Sequence, residues 1–402
     1  MLMQTHEARL AALREELKKQ GLDGFVIPIS DEHMSEYIGA YAQRLAWLTG
    51  FGGSAGSAIV LANSAAIFVD GRYTIQVREQ VDERLFDYQN VPATTHAKWL
   101  AANAPEGARI GYDAWLHSRG WVDTVGKALA KRGGALVAVA SNPVDAVWAD
   151  RPEPSPAVAA VHAEEHAGRS SADKRAEVAD WLKAEGLDAA VISALDSVAW
   201  LLNIRGQDVE RTPVALSYVL AHANGTAELF IAPEKVTPEL VQHLGNAVTV
   251  RPRDAFEGAL AGLAGKSVAV DPDYGVAAIS AALEAAGATV VTTRDPTIVP
   301  RAIKNPVEQA GHRAAQARDG AAIAKFLHWL SVEAPKGGET ELSAVAALRG
   351  FREETGLLRD QSFDTISAAG PHAAIPHYRV DEDSNLPIRP GSVFLCDSGA
   401  QY

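Results

Sequence analysis

The feature that most constrains this chain is an internal duplication. Residues 5–20 carry a helical pattern, with Leu10, Leu13 and Leu17 on one face. Gly21 ends it, as glycine commonly ends helices, and the run Gly21-Leu22-Asp23-Gly24-Phe25-Val26-Ile27-Pro28 leads into an apolar strand. The same statement is made again further on. Lys174 to Glu185 is a helical pattern with Val178, Trp181 and Leu182 on one side, and Gly186-Leu187-Asp188-Ala189-Ala190-Val191-Ile192-Ser193 follows. Ala46-Trp47-Leu48 returns as Ala199-Trp200-Leu201, and Asn142-Pro143 as Asp295-Pro296, each 153 positions on. A hairpin pattern over 57–62 and 65–70, around Asn63-Ser64, returns as 217–220 and 227–231 around Asn224-Gly225. Asp113, after the apolar strand 108–112, is matched by Asp271 after 267–270. Matches in the same order, with offsets drifting between 153 and 165 as loop insertions allow, mean two copies of one fold. Strands alternating with helices make that fold α/β.

The first copy spans 1–150 and the second 172–304, with 151–171 as the linker. Its Asp150-Arg151-Pro152-Glu153-Pro154-Ser155-Pro156-Ala157 reads as a stiff, extended spacer. From 305 to 402 the pattern changes, so a third domain begins there. Asn305 can cap a helix, Pro306 suits its first turn and Glu308 completes a capping box. That helix is expected to reach about Val332, burying Ile323, Phe326, Leu327 and Leu330. A second helix follows over about Glu341–Glu354, then strands over 362–367 and 393–396 with a small-residue turn from Ala368 to Pro371 after the first.

Composition narrows the function. A net charge of −13, with no basic face evident to neutralise phosphates, argues against nucleic acid as a main partner and against an anionic membrane surface. Cys396 is the one cysteine, so no intrachain disulfide can form. With no signal-like apolar core near residue 1 and no run of about 18 apolar residues, a cytoplasmic protein is expected.

Most chemically suggestive groups gather between Asp360 and Tyr402. Asp397 stands at the end of the short apolar run Val393-Phe394-Leu395-Cys396. A carboxylate buried there would need a partner or a metal; equally, Asp-Ser-Gly is ordinary turn chemistry. His377 sits beside Tyr378 after an apolar approach. It reads either as a satisfied structural histidine or as a proton donor facing Asp397 across adjacent strands. His372 reads as structural, Cys396 as core, and His312 and His328 as surface residues of the long helix. Gly50-Phe51-Gly52-Gly53-Ser54-Ala55 fits a loose dinucleotide pattern, but a strand follows it where a helix is needed, so it reads as a tight turn. Asp70-Gly71-Arg72-Tyr73 reads as the turn that closes the first hairpin. Ser54 and Ser57 lack a nearby histidine and acid in a nucleophile-elbow setting.

Taken together, the motifs resemble one family. Arg44 to Gly56, Asp70-Gly71-Arg72-Tyr73, Ala199 to Gly206, Lys304-Asn305-Pro306, Arg318 to Ala322, Ser362 to Ser367, Ile375-Pro376-His377-Tyr378 and Asp397 to Tyr402 are similar to the long, three-domain Xaa-Pro aminopeptidases. The resemblance implies two duplicated creatinase-N-like α/β domains followed by the start of an α+β "pita-bread" catalytic domain. It implies hydrolytic release of the first residue from peptides with proline second, and homodimerisation. It also implies two divalent ions, manganese as a rule, held by two Asp, one His and two Glu; paired ions of that kind activate a hydroxide and polarise the scissile carbonyl. Asp397 then matches the first metal ligand, and His377 the non-ligand histidine that binds substrate near that carbonyl. The other four ligands have no counterpart up to Tyr402. The expectation is therefore the N-terminal portion of a longer enzyme, binding no metal and inactive by itself. A scaffold protein that keeps the fold without the metals, or a related dipeptidase or creatinase, are the alternatives.

Overall fold

The computed structural model describes residues 5–402. They divide into two units, residues 5–71 with Val77–Ile303, and Arg72–Gln76 with Lys304–Tyr402.

The first unit holds two six-stranded sheets. One contains β1 (Gly24–Pro28), β2 (Ser57–Leu61), β3 (Ala65–Val69), β4 (Asp87–Asn90), β5 (Arg109–Tyr112) and β6 (Ala135–Ala138), in the order β4-β3-β2-β1-β5-β6. The other contains β7 (Ala189–Ile192), β8 (Ser217–His222), β9 (Ala227–Ile231), β10 (Val248–Pro252), β11 (Ser267–Val270) and β12 (Thr289–Thr292), in the order β10-β9-β8-β7-β11-β12. Position by position these orders are the same. Parallel and antiparallel pairs also fall in the same places, with antiparallel β1-β2-β3 matched by β7-β8-β9 and parallel pairs outside them. The duplication read from the sequence is thus a duplication of topology.

Its repeated Gly-Leu-Asp has a physical cause. Helix α1 (His6–Lys19) and helix α2 (Ser171–Ala184) are each followed by a left-handed glycine, Gly21 at φ 65° and Gly186 at φ 67°. That turn sends the next amide back to the helix, Leu22 to the Leu17 carbonyl and Leu187 to the Leu182 carbonyl, at 2.9 and 2.8 Å. The aspartate then reaches the neighbouring parallel strand. Asp23 accepts from the Arg109 amide and Asp188 from the Ser267 amide, both at 2.8 Å. The repeated tryptophan is equally placed. Arg9 lies over Trp47 at 4.9 Å and Lys174 over Trp200 at 4.5 Å, and each cation donates to the carbonyl of its tryptophan.

Within this unit the two copies share a buried polar seam. Arg253 donates to Glu32 at 2.6 Å, and Tyr41 donates to the same carboxylate oxygen at 2.9 Å. Arg253 also donates to His33 Nε2 at 3.0 Å, so Nδ1 carries the proton that it gives to the Ser193 carbonyl, 2.8 Å away. Burial alone would raise the Glu32 carboxyl, but the Arg253 guanidinium beside it holds it below the usual carboxylate range.

Gly50 has φ +83°, and a Cβ there would lie 3.0 Å from both the Gln80 carbonyl oxygen and His6 Nε2. The glycine-rich run is a tight structural turn leading into β2. The spacer between the copies carries no regular element over 151–159, but Ala160–Val161 pairs with Ile204–Arg205 and a short helix covers Glu164–Ala167.

The second unit contains helix α3 (Pro306–Glu333), helix α4 (Glu341–Glu353), β13 (Asp360–Gln361), β14 (Ile366–Ala369), β15 (Phe394–Asp397) and β16 (Ala400–Gln401). Asn305 caps α3 in a full capping box with Glu308. The buried stripe is narrower than expected. Phe326 and Ala322 are buried, Ile323 and Leu330 are partly buried, and Leu327 is 57% exposed. Leu327 follows Phe326 by one residue, about 100° around the helix, and so points away from the cluster that Phe326 forms with Ala344 and Leu348 of α4. The strand expected over 362–367 is displaced to Ile366–Ala369. Ala368 and Ala369, read from sequence as turn residues, are buried inside it, and the turn starts at Gly370, φ 56°.

Candidate active site around His377 and Asp397

Strands β14 and β15 run antiparallel, with Ile366 opposite Asp397, Ser367 opposite Cys396 and Ala369 opposite Phe394. This pairing places Asp397 at the end of a strand, as expected, but on its solvent side. Asp397 and Cys396 are both exposed, which corrects the readings of a buried carboxylate and a core thiol. Successive side chains of a strand point to opposite faces, so the exposure of both residues means that neither face is covered at this end of the strand. Behind Asp397 the next residues are firmly tied. The fully buried Arg352 of α4 grips Asp319 of α3 through Nε and Nη2, at 2.8 and 3.1 Å, and donates to Ser398 Oγ at 3.1 Å. The Tyr402 hydroxyl donates to Asp319 at 2.7 Å. Burial, then the adjacent Asp319, push that phenol up to about 12.

His377 does not stand on a strand beside Asp397. It lies in the loop beyond the 3-10 turn Gly370–Ala374, and no hydrogen bond or ion pair joins the two among the described residues. Its partner is Tyr73, whose hydroxyl lies 2.8 Å from Nδ1, with the rings edge to face and centroids 5.3 Å apart. Tyr73 is buried.

The loop carrying His377 is held by a residue the sequence reading did not single out. Glu341, the first residue of α4, is fully buried. One carboxylate oxygen accepts from the Ala369 amide at 2.6 Å and from His372 Nδ1 at 2.9 Å; the other accepts from the Leu386 amide at 2.9 Å and the Tyr378 hydroxyl at 3.1 Å. The carboxylate therefore binds both ends of the stretch 369–386. A negative charge in the first turn of a helix is also favoured by the helix dipole. His372 stacks on Tyr378, centroids 4.3 Å apart, and belongs to this structural network. Burial, with the Glu341 charge adding to it, pushes the Tyr378 phenol up to about 12. An acidic residue just behind the Thr340 cap was the one sequence signal for Glu341, and acids are ordinary there.

A second correction concerns Ser57. Its hydroxyl lies 2.6 Å from His96 Nε2, a pairing no sequence spacing revealed. Nevertheless it is no activated nucleophile. The Trp121 indole, which can only donate, points its N–H at His96 Nδ1 from 2.9 Å. The imidazole proton must then sit on Nε2 and be given to Ser57, so His96 cannot take the serine proton. Burial holds the His96 imidazole down at about 4, consistent with a neutral ring.

For metal binding, no group of three or more His, Cys, Asp and Glu side chains that could hold an ion comes together among the described residues. Among those residues, too, no helix is long and apolar enough to cross a membrane.

Comparison with known proteins agrees with this architecture. Residues 9–147 match the creatinase/prolidase N-terminal domain, residues 150–308 a second description of that domain, and residues 310–402 the metallopeptidase family M24. A probable Xaa-Pro aminopeptidase P of Aspergillus clavatus is 36% identical, over 98% of this chain and 62% of its own length. One of Coccidioides posadasii is 38% identical, over 98% of this chain and 66% of its own. This chain thus spans about two thirds or less of the curated relatives it matches. A crystal structure of X-prolyl aminopeptidase from Caenorhabditis elegans, described as a cytosolic enzyme with a di-nuclear active site, superposes with a TM-score of 0.93. It is 30% identical and covers 99% of this chain and 68% of its own. With two creatinase-type copies ahead of an M24 stretch, and that whole arrangement shared with a solved relative, this chain belongs to the Xaa-Pro aminopeptidase family.

Proposed function

We propose that the parent enzyme of this chain is a metal-dependent aminopeptidase that releases the first residue from peptides with proline in second position. The observation that carries this reading is the match of the full domain series, both copies and the M24 stretch, to an X-prolyl aminopeptidase over 99% of this chain. Two divalent ions, manganese by preference, would supply the activated hydroxide when bound. Asp397 is the one carboxylate of the expected ligand set that these residues offer. By themselves the 402 residues are therefore read as inactive. His377, carried on the loop that Glu341 holds, is the group we assign to substrate, with an imidazole N–H donating to the carbonyl oxygen of the scissile bond. We place the domain boundaries at 150, 171 and 304, and the enzyme in the cytosol as a homodimer without nucleic acid or membrane as partner.

The test is hydrolysis of an Arg-Pro-Pro peptide with and without Mn²⁺, on the 402-residue chain and on the enzyme at the length of its relatives. Metal-dependent release of arginine by the longer protein, lost in Asp397→Asn and His377→Gln, is the expected outcome. Cleavage by the 402-residue chain would overturn the ligand assignment. A folded longer protein that neither cleaves nor binds Mn²⁺ would favour the scaffold reading.

A further inference from the structure

Tyr73 follows the first hairpin in sequence, yet in space it groups with the second unit, where it is 1% exposed. A turn closing that hairpin does not require a phenol. What occupies its hydroxyl is His377, 304 positions further along, with Oη 2.8 Å from Nδ1. This is the one hydrogen bond of the His377 side chain among the described residues.

A neutral imidazole has one donor nitrogen and one acceptor nitrogen, and the partner of the first decides what the second can do. A phenol O–H is the more acidic group and the better donor; an unprotonated imidazole nitrogen is the better acceptor. The bond is therefore strongest with Oη–H donating to Nδ1 and the ring proton on Nε2. Two other histidines of the chain have tautomers set by such partners. His96 takes an indole N–H on Nδ1 and keeps its proton on Nε2. His372 faces a carboxylate with Nδ1 and must carry its proton there.

We infer that Tyr73 is a positioning residue that locks His377 as its Nε2–H tautomer, so that Nε2–H is a fixed donor to the carbonyl oxygen of a peptide substrate. The inference deepens the peptidase reading and its substrate half rests on it. The tautomer itself does not, because it can be read without turnover. Edge-to-face packing of the two rings at 85° holds the imidazole plane as well, so the donor direction is set together with the proton. Without the phenol, His377 would distribute its proton over both nitrogens and present an acceptor for part of the time.

The experiment is long-range ¹H–¹⁵N correlation of histidine-labelled 402-residue chain near pH 8, with His377 assigned by the signal that His377→Gln removes. Expected is an acceptor-type Nδ1 and a protonated Nε2 in the unsubstituted chain, needing no variant to observe. In Tyr73→Phe, which keeps the ring packing, the Nδ1–H share should rise severalfold. A protonated Nδ1 in the unsubstituted chain would overturn the assignment, since Oη would then be accepting. An unchanged tautomer in a folded Tyr73→Phe would also overturn it. In the active enzyme, Tyr73→Phe should lower kcat about tenfold, as loss of an orienting partner typically does, with little change in KM. Should the tautomer be as stated while His377→Gln leaves hydrolysis intact, the substrate role fails and the peptidase reading loses its histidine, not its fold.

Discussion

Glu341 receives four donors and no solvent. Replacing it with alanine strands two amides, a phenol and an imidazole at once. Leaving buried donors unmet costs on the order of 3 kcal/mol or more in total. Glu341→Ala should lower the unfolding midpoint of the second unit, seen by calorimetry, while a control such as Glu353→Ala, exposed at the far end of α4, leaves it in place. Ser57 and His96 give a second residue-level expectation. Since His96 donates to the serine, a fluorophosphonate probe should leave Ser57 unlabelled under conditions that label an authentic serine hydrolase. Their neighbourhood also titrates. Burial lowers both His96 and His117 to about 4 in the folded chain, against about 6.5 unfolded. The unfolded state binds the extra protons first, so stability complete above about pH 6.5 is lost as pH falls toward 4, by on the order of 3 kcal/mol for each ring. Denaturant midpoints measured at pH 7 and pH 4.5 check this, and His96→Gln should reduce the difference.

At the scale of elements, the chain announced its strands and helix stops where local chemistry decides them. Gly21 and Gly186 were visible because a left-handed residue must end each helix, and the aspartate two positions later because it recurs. Gly50 and Gly21 should nevertheless respond differently to alanine. Both have positive φ, but a Cβ at Gly21 meets nothing within 4 Å, whereas at Gly50 it meets the Gln80 carbonyl oxygen at 3.0 Å. Gly21→Ala is expected to cost about 1 kcal/mol from backbone strain alone, and Gly50→Ala clearly more, as equilibrium unfolding of the first unit would show. The third region was less legible. Ala368 and Ala369 have a turn-like composition but are buried strand residues, Ala369 packed with Ala344 and Leu348 of α4 and Ala368 with Ile375 and Tyr378. Asp397 was legible as a strand-end carboxylate, though not its exposure, since an apolar run does not say whether both faces are covered. The Tyr73–His377 pair was not legible at all: no local pattern joins residues so far apart, and the tyrosine's own surroundings described a turn.

For the molecule as a whole, the seam in the first unit carries a distinct expectation. Arg253→Met removes the partner of Glu32 and leaves a buried carboxylate beside His33. About 3 kcal/mol of stability should be lost, as when one member of a buried pair is deleted; the double variant Glu32→Gln with Arg253→Met should recover part of it, measured by denaturant unfolding. The strand order of the two sheets has a separate consequence, for synthesis. In each sheet the strand made first is central: β1 lies between β2 and β5, and the last strand, β6, ends 114 positions after Gly24. At cellular rates of elongation, β1 waits roughly 6 to 23 s before its sheet can be finished. Only after that does β7, the strand with the same role in the second copy, emerge. Translation therefore offers the ribosome-bound chain one set of partners at a time. Dilution of the whole chain from denaturant offers both sets together, and two sheets with the same pairing rules can then exchange strands. Yields of native protein should be lower by that route than from cell-free synthesis at equal concentration.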